Sequence, residues 1–115
     1  MELTISQVIG KPIAVLDIDG RKVYEQLTKA YKRHEKVVLS FKGLQHVTTA
    51  FLNAALGRFI LGATKPEEAK DLIAIEDLEN ESIKYKIEQV YQLALNPELR
   101  QIRESARNQE IGINE

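Results

Sequence analysis

The sequence contains no cysteine among its 115 residues. Disulfide scaffolds, thiolate metal sites and cysteine nucleophiles are therefore excluded. It also lacks an excess of charge of either sign, since 16 Lys and Arg residues face 17 Asp and Glu residues. The net charge of −1 predicts no bulk attraction to nucleic acid or to an anionic membrane surface.

Long apolar runs and targeting signals are missing as well. No run of about 18 apolar residues occurs, so no transmembrane helix is predicted. Residues 1–12 lack the basic region and the long apolar stretch of a secretory signal peptide. We therefore expect a soluble, cytoplasmic protein.

The composition is that of a folded globular protein, with 43% hydrophobic and 29% charged residues. The length suits one domain that buries its own core. We predict a single domain over residues 1–107 and a flexible C-terminal tail over residues 108–115. Leu99 and Ile102 place a short terminal helix just before that tail.

The N-terminal third of the chain predicts two strands and a helix. Leu3–Ile9 and Ile13–Leu16 are apolar segments on either side of a Gly-Lys-Pro turn, which favours a hairpin. A helix is predicted from about Gly20 to Arg33, with one apolar face formed by Val23, Leu27, Ala30 and Tyr31. An aspartate just before it, at position 17 or 19, could cap this helix.

The middle of the chain predicts a buried strand and a buried helix. Val37–Leu39 is a continuous apolar run without alternation, which is typical of a central strand. After a short loop over residues 44–47, a second helix begins at Thr48 or Thr49 and extends to about Leu61. Gly57 costs this helix about 1 kcal/mol relative to alanine. We therefore expect the sheet or a partner to approach this helix closely there.

The last third predicts one further strand and a long helix. Gly62–Asp71 is interpreted as a polar loop, because Lys65-Pro66 interrupts it. Leu72–Ile75 is the third core strand, and a helix follows over Glu81–Leu95. Together these elements predict an α/β fold, in which helices pack against a small mixed sheet of about four strands that starts with an N-terminal hairpin.

Residues 36–62 carry a more specific pattern. A buried strand ends at Gly43, two hydroxyl residues open the next helix, and Phe51–Ala55 reads Phe-Leu-Asn-Ala-Ala before Gly57-Arg58-Phe59. This pattern resembles the STAS-like domain family of unknown function, whose relatives are the bacterial anti-sigma-factor antagonists. The resemblance implies a small STAS-like mixed sheet and a regulatory, signalling role.

The same resemblance marks the hydroxyl pair at the start of the second helix. Thr49 aligns with the serine that is phosphorylated in the antagonists, and Thr48 stands where they carry an aspartate. Thr49, with Thr48 beside it, is thus a candidate phospho-switch, since a phosphate at a helix N-terminus adds charge to a docking surface. The alternative is that one of the two threonines simply caps the helix.

The resemblance implies a non-enzymatic protein–protein interaction module that docks a partner through the start of this helix. The implied partner is a regulatory protein, either a histidine-kinase-like ATPase or an anti-sigma-type factor. The candidate partner-binding residues are His46, Thr48, Thr49, Asn53 and Arg58. The alternative function is a module that binds a nucleotide or another small anion at the same helix start.

The residues offer no catalytic constellation, and no catalytic residue, metal or cofactor is predicted. His34 and His46 are isolated histidines without a second metal ligand or a nucleophile nearby. Asp17 and Asp19 are interpreted as turn and cap residues. Glycine-rich phosphate-binding loops are absent from the sequence.

Overall fold

The computed structural model of the chain describes residues 1–96. The terminal helix predicted up to Arg107 and the tail over residues 108–115 lie outside the described residues. The elements are, in chain order, β1 (Glu2–Thr4), α1 (Ile5–Ile9), β2 (Ile13–Ala14), α2 (Asp17–Lys32), β3 (Val37–Ser40), β4 (His46–Val47), α3 (Thr49–Leu52), a π-helical segment (Asn53–Gly57), α4 (Arg58–Gly62), α5 (Pro66–Asp71), β5 (Ile73–Glu76) and α6 (Glu81–Leu95).

The main sheet has three parallel strands in the order β1-β3-β5. Val38 in the central strand pairs with Glu2 on one side and with Ala74 on the other. The side chains of Val37 and Leu39 are buried, while the alternate positions of β3 are half-buried. The predicted central position of this strand and the α/β class with parallel pairing are confirmed.

The predicted N-terminal hairpin is wrong. β1 pairs with β3, and the chain then turns into the short helix α1 instead of returning alongside β1. Ile5 and Ile9 lie one helical turn apart, and both are buried on the inward face of α1. Gly10 ends the helix in the left-handed conformation at φ 75°, where its N–H donates to the carbonyl of Ser6 at 2.9 Å.

The strands are divided between two sheets, which corrects the expectation of about four strands in one sheet. β2 pairs in parallel with β4, so that Ile13 lies opposite His46 and Ala14 lies opposite Val47. The segment that contains β4 was expected to be a loop. Backbone hydrogen bonds from Gln45 to Pro12 and from Thr48 to Ala14 continue this pairing at both ends, at 2.8 and 3.0 Å.

The two long helices follow the predicted apolar stripes. α6 has the predicted bounds, and Asn80 caps it by accepting a hydrogen bond from the N–H of Ile83 at 3.2 Å. Burial raises the pKa of Tyr91 on its inner face, and the nearby carboxylate of Glu88 raises it further. The predicted inner face of α6 is buried in full, at Ile83, Ile87, Val90, Tyr91 and Ala94.

The predicted loop between the second helix and the third core strand contains α5. Pro66 occupies the start of this helix, and Glu67 and Glu68 lie in its first turn. Proline fits the first helical position because the N–H that it lacks would have no intrahelical partner there. Acidic residues in the first turn complement the helix dipole. Lys65-Pro66 therefore starts a helix and does not interrupt one.

The core lies where α2, the π-helical segment and α6 pack together. A Cβ atom on Gly20 of α2 would lie 2.7 Å from the backbone carbonyl oxygen of Phe51. A Cβ atom on Gly57 would lie 3.2 Å from Val90 Cγ1 on α6. The close approach expected at Gly57 exists, but it is made by the helix α6 and not by the sheet. Gly20 lets α2 approach α3 closer than any side chain would allow, and Gly57 permits a tight contact with α6.

Candidate functional site

The starts of α2 and α3 lie side by side, because each helix follows directly on a strand of the two-stranded parallel sheet. Thr48 joins the two starts. Its hydroxyl donates to the carbonyl of Val15 at 2.9 Å and accepts from the N–H of Phe51 at 3.2 Å. Its own N–H donates to the carbonyl of Ala14. Thr48 therefore fixes both the first turn of α3 and the segment that leads into α2.

The two candidate switch threonines have different environments. Thr48 is the N-cap residue of α3, with φ −102° and ψ 158°, and its hydroxyl is fully engaged. Thr49 is the first residue of the helix and is exposed, and its hydroxyl makes no hydrogen bond with residues 1–96. The cap is therefore Thr48, and Thr49 presents an unengaged hydroxyl at the positive end of the helix dipole.

His46 lies on the exposed side of the small sheet. It pairs in register with Ile13, and both side chains point away from the core because Ala14 and Val47, the next pair, are buried. Within residues 1–96, no group of three His, Cys, Asp or Glu side chains could hold a metal ion. Because the side chain of His46 is exposed, it is available for contact with another molecule.

The other two predicted contact residues lie further along the helix. Asn53 is half-buried, and its Oδ1 lies 3.3 Å from the position of a Cβ on Gly57, near α6. Arg58 is exposed, and its guanidinium lies 5.0 Å from the centre of the Tyr24 ring on α2. Arg58 follows Thr49 by nine positions, which is about 13 Å along the helix. The structure thus groups His46, Thr48 and Thr49, whereas Arg58 contacts a different part of α2.

Exposed apolar side chains lie on the segment that pairs with the grouped residues and on the start of α2, and the sequence interpretation missed them as a surface. We call this set the apolar surface; its members and exposures are Ile13 (41%), Val15 (36%), Leu16 (51%) and Ile18 (59%). It adjoins His46 through the strand pairing and Thr48 through the hydrogen bond to Val15. The sequence pattern assigned most of these residues to a second strand, where apolar residues are expected to be buried.

The start of α2 also contains the one buried carboxylate among residues 1–96. Asp19 is 1% exposed, and its oxygens lie 2.7 Å from Lys11 Nζ and 3.5 Å from Lys22 Nζ. Neither Asp17 nor Asp19 caps the helix, because α2 begins earlier than predicted and its N-cap is Leu16. The ion pairs of Asp19 fix the segment before β2 to the first turn of α2.

A separate groove of about 350 Å³ lies at the carboxyl ends of β3 and β5. Its apolar lining comes from Phe41, Leu44, Leu78 and Ile83. At its edge the hydroxyl of Ser40 donates to the carboxylate of Asp77 at 2.5 Å. The loops that line this groove follow β3 and β5, whereas the threonines and the apolar surface follow β4 and β2.

The fold and the site define a small α/β domain with parallel sheets and two adjacent helix starts that follow the strands of the smaller sheet. The chain belongs to the family described as a STAS-like domain of unknown function, whose model matches residues 19–82. The resemblance inferred from the pattern around Gly43, Thr49 and Gly57 is thereby confirmed. No curated protein and no solved structure shows a significant match to the chain. Among the helices within residues 1–96, none has the length and apolar character needed to cross a membrane.

Proposed function

We propose that this domain is a non-enzymatic regulatory module of the anti-sigma-factor-antagonist type, which docks a protein partner through the start of α3. The observation that carries the proposal is the apolar surface beside Thr49. Exposed apolar side chains that cluster next to polar groups mark interaction sites more often than isolated ones do. The partner implied by the family resemblance is a histidine-kinase-like ATPase or an anti-sigma-type factor.

The size of the apolar surface supports a protein partner. Leu16 and Ile18 are each more than half exposed. Complete burial of a leucine or isoleucine side chain contributes about 1.5–3 kcal/mol. Covering these two residues together with Ile13 and Val15 would therefore supply a substantial share of the free energy of a protein–protein contact. The grouped polar residues His46 and Thr49 would form the rim of such an interface.

The alternative, a small anion at the same helix start, has less support. The N–H of Phe51 is one of the donors that an anion would need, and it already donates a hydrogen bond to the hydroxyl of Thr48. The neighbouring Val15 and Leu16 are apolar and exposed, and they would add nothing to the binding of a phosphate. A nucleotide or inorganic phosphate should accordingly leave the melting temperature unchanged.

Leu16→Asp is expected to abolish docking while it stabilises the fold. Leu16 is the N-cap residue of α2 and has the extended backbone of a cap, but its side chain makes no cap hydrogen bond. An aspartate there can accept from the first-turn N–H groups, so the free energy of unfolding should rise by about 0.5–1 kcal/mol. The same carboxylate would lie unpaired inside the interface. Chemical denaturation and quantitative capture of the partner measure the two effects.

The matched control is Leu93→Asp, because Leu93 is an exposed leucine on a different element, α6, and does not belong to the apolar surface. A partner retained by the parent chain should also be retained by Leu93→Asp and lost by Leu16→Asp. Equal retention of the partner by both variants would contradict docking at this surface, and so would the absence of any protein that discriminates between them.

Thr49→Asp is expected to weaken the same contact without loss of stability. The exposed hydroxyl of Thr49 makes no hydrogen bond with residues 1–96, and a carboxylate in the first turn of a helix is favourable. Thr49→Ala should preserve binding and change the free energy of unfolding by less than about 0.5 kcal/mol. Thr48→Ala, by contrast, removes the cap and should cost about 0.5–2 kcal/mol.

Titration of the purified partner against each threonine variant, together with thermal melting, measures these effects. If Thr49→Asp binds the partner with the affinity of the parent chain, a negative charge at position 49 does not regulate binding. The domain would then dock its partner constitutively.

A further inference from the structure

Residues 11–22, which contain the apolar surface, carry a net charge of +1, although the whole chain carries a net charge of −1. Three cationic side chains lie in this stretch: Lys11, Arg21 and Lys22. The two carboxylates in the same stretch are Asp17 and Asp19, and Glu25 follows one helical turn after Arg21. Asp19 is buried between Lys11 and Lys22, so its charge is neutralised within the fold.

Arg21 is the cation best placed to contact a partner. It lies three residues after Ile18 in α2, and residues at this spacing share one face of a helix. It is exposed, and within residues 1–96 it makes no ion pair and no hydrogen bond. A guanidinium without an intramolecular partner is free to form a bidentate pair with a carboxylate.

A further cation reaches the small sheet from α6. The Nζ atom of Lys86 on α6 donates to the carbonyl of Val47, at the end of β4, at 3.1 Å. It is thereby held next to the strand that carries His46 and precedes Thr48. Arg21 thus lies about one helical turn after Ile18 of the apolar surface, and Lys86 contacts the strand that pairs with β2.

We propose that the partner presents an apolar cleft edged by carboxylates, so that acidic side chains meet Arg21 while the cleft covers Leu16 and Ile18. This inference rests on the proposed docking function and specifies the chemistry of the partner. Complementary charge around an apolar contact accelerates association and selects the partner. A phosphorylated or aspartate-substituted Thr49 would oppose such a partner through repulsion between like charges.

An anionic lipid surface is the less favoured occupant. Asp17 is exposed between Leu16 and Ile18, where its carboxylate accepts from the N–H of Ile18 at 2.9 Å. Insertion of these two apolar side chains into a bilayer would carry that carboxylate towards the anionic headgroups. A shaped protein cleft can leave Asp17 in solvent while it covers its neighbours.

The test measures association kinetics with the protein that the parent chain retains and Leu16→Asp does not. Arg21→Glu is expected to lower the association rate constant about tenfold near 0.1 M salt. The difference should largely vanish near 1 M salt, where the screening length falls from about 10 Å to about 3 Å. Lys29→Glu is the matched control, because Lys29 lies in the last turn of the same helix and the change in net charge is the same.

Three outcomes would overturn the inference. If Arg21→Glu and Lys29→Glu associate at the same rate while Leu16→Asp still abolishes binding, the proposed docking function is retained and the proposal of an acidic partner is wrong. If Leu16→Asp binds normally, the docking function fails and the inference fails with it. If the parent chain sediments with phosphatidylglycerol vesicles and Arg21→Glu does not, the surface recognises lipid.

A double-mutant cycle supplies the positive result. A partner carboxylate that faces Arg21 can be changed to lysine, and the doubly reversed pair should recover most of the lost association rate. Recovery with Arg21→Glu but not with Lys29→Glu would locate the acidic contact at the start of α2.

Discussion

Leu56→Ala is expected to lower the free energy of unfolding by about 2–5 kcal/mol, because it removes a buried side chain from the centre of the core. Leu56 is 1% exposed and belongs to the π-helical segment, which packs against both α2 and α6. Its removal leaves a cavity in the core, into which the surrounding structure relaxes only in part. A total stability of about 5–15 kcal/mol makes this a large fraction of the whole.

Leu93→Ala is the control for this experiment, because Leu93 is 37% exposed. Leu93→Ala should lower the free energy of unfolding by less than about 1 kcal/mol. Urea denaturation measures both variants, and an unchanged dependence on denaturant would show that the unfolding reaction is the same. A loss below about 0.5 kcal/mol for Leu56→Ala would mean that the π-helical segment is not part of the core.

Gly20→Ala is the second substitution with a large expected effect, although it adds only one methyl group. The added Cβ would lie 2.7 Å from the carbonyl oxygen of Phe51 and 2.7 Å from Ala54 Cβ. The first of these neighbours is backbone, so α2 must move away from α3 as a whole. Overpacking of this kind costs about 1–3 kcal/mol, and sometimes more. The higher helix propensity of alanine, about 1 kcal/mol, offsets part of that cost.

The same substitution at Gly62 should have the opposite effect on the free energy of unfolding. Gly62 ends α4, and no atom lies within 4 Å of the position that its Cβ would take. Gly62→Ala should therefore raise the free energy of unfolding by up to about 1 kcal/mol. Because Gly20 holds the starts of α2 and α3 together, Gly20→Ala should also weaken partner binding. If it melts at or above the parent temperature, the close contact with Phe51 is wrong.

The elements that the sequence predicts correctly are those with a complete apolar stripe or run. α6 is an example, since Ile83, Ile87, Val90 and Tyr91 repeat at helical spacing behind the capping residue Asn80. Such patterns arise because burial of a whole face dominates the energetics of an element, and the period of the stripe identifies its type.

The prediction for the N-terminal segment was wrong because its apolar residues fit both the helical period and the strand period. Ile5 and Ile9 have helical spacing, and Gly10 supplies the left-handed residue that ends many helices. Leu3 and Ile5 also have strand spacing, which favoured one long strand. Pro66 was also misinterpreted, because a proline can either break a helix or begin one. The acidic residues Glu67 and Glu68 that follow it indicate a helix start.

The site could be predicted only in part. The hydroxyl pair and its place at a helix start follow from the local pattern. The identity of the capping threonine depends on the hydrogen bond from Thr48 to Val15, which lies 33 residues earlier. The exposure of Leu16 and Ile18 depends on the pairing of β2 with a two-residue strand. Strands as short as β4 leave no periodicity in a sequence, so neither the small sheet nor the apolar surface beside it could be inferred.

Parallel pairing also determines when the chain can fold during its synthesis. Glu2 pairs with Val38, Ile13 with His46 and Val37 with Ile73, so each pairing spans more than 30 residues. No strand has a partner until β3 has left the ribosome, and β3 keeps one open edge until β5 follows. Open strand edges invite pairing with other chains. A nascent chain that pauses before residue 73 should therefore need a chaperone more than the complete domain does.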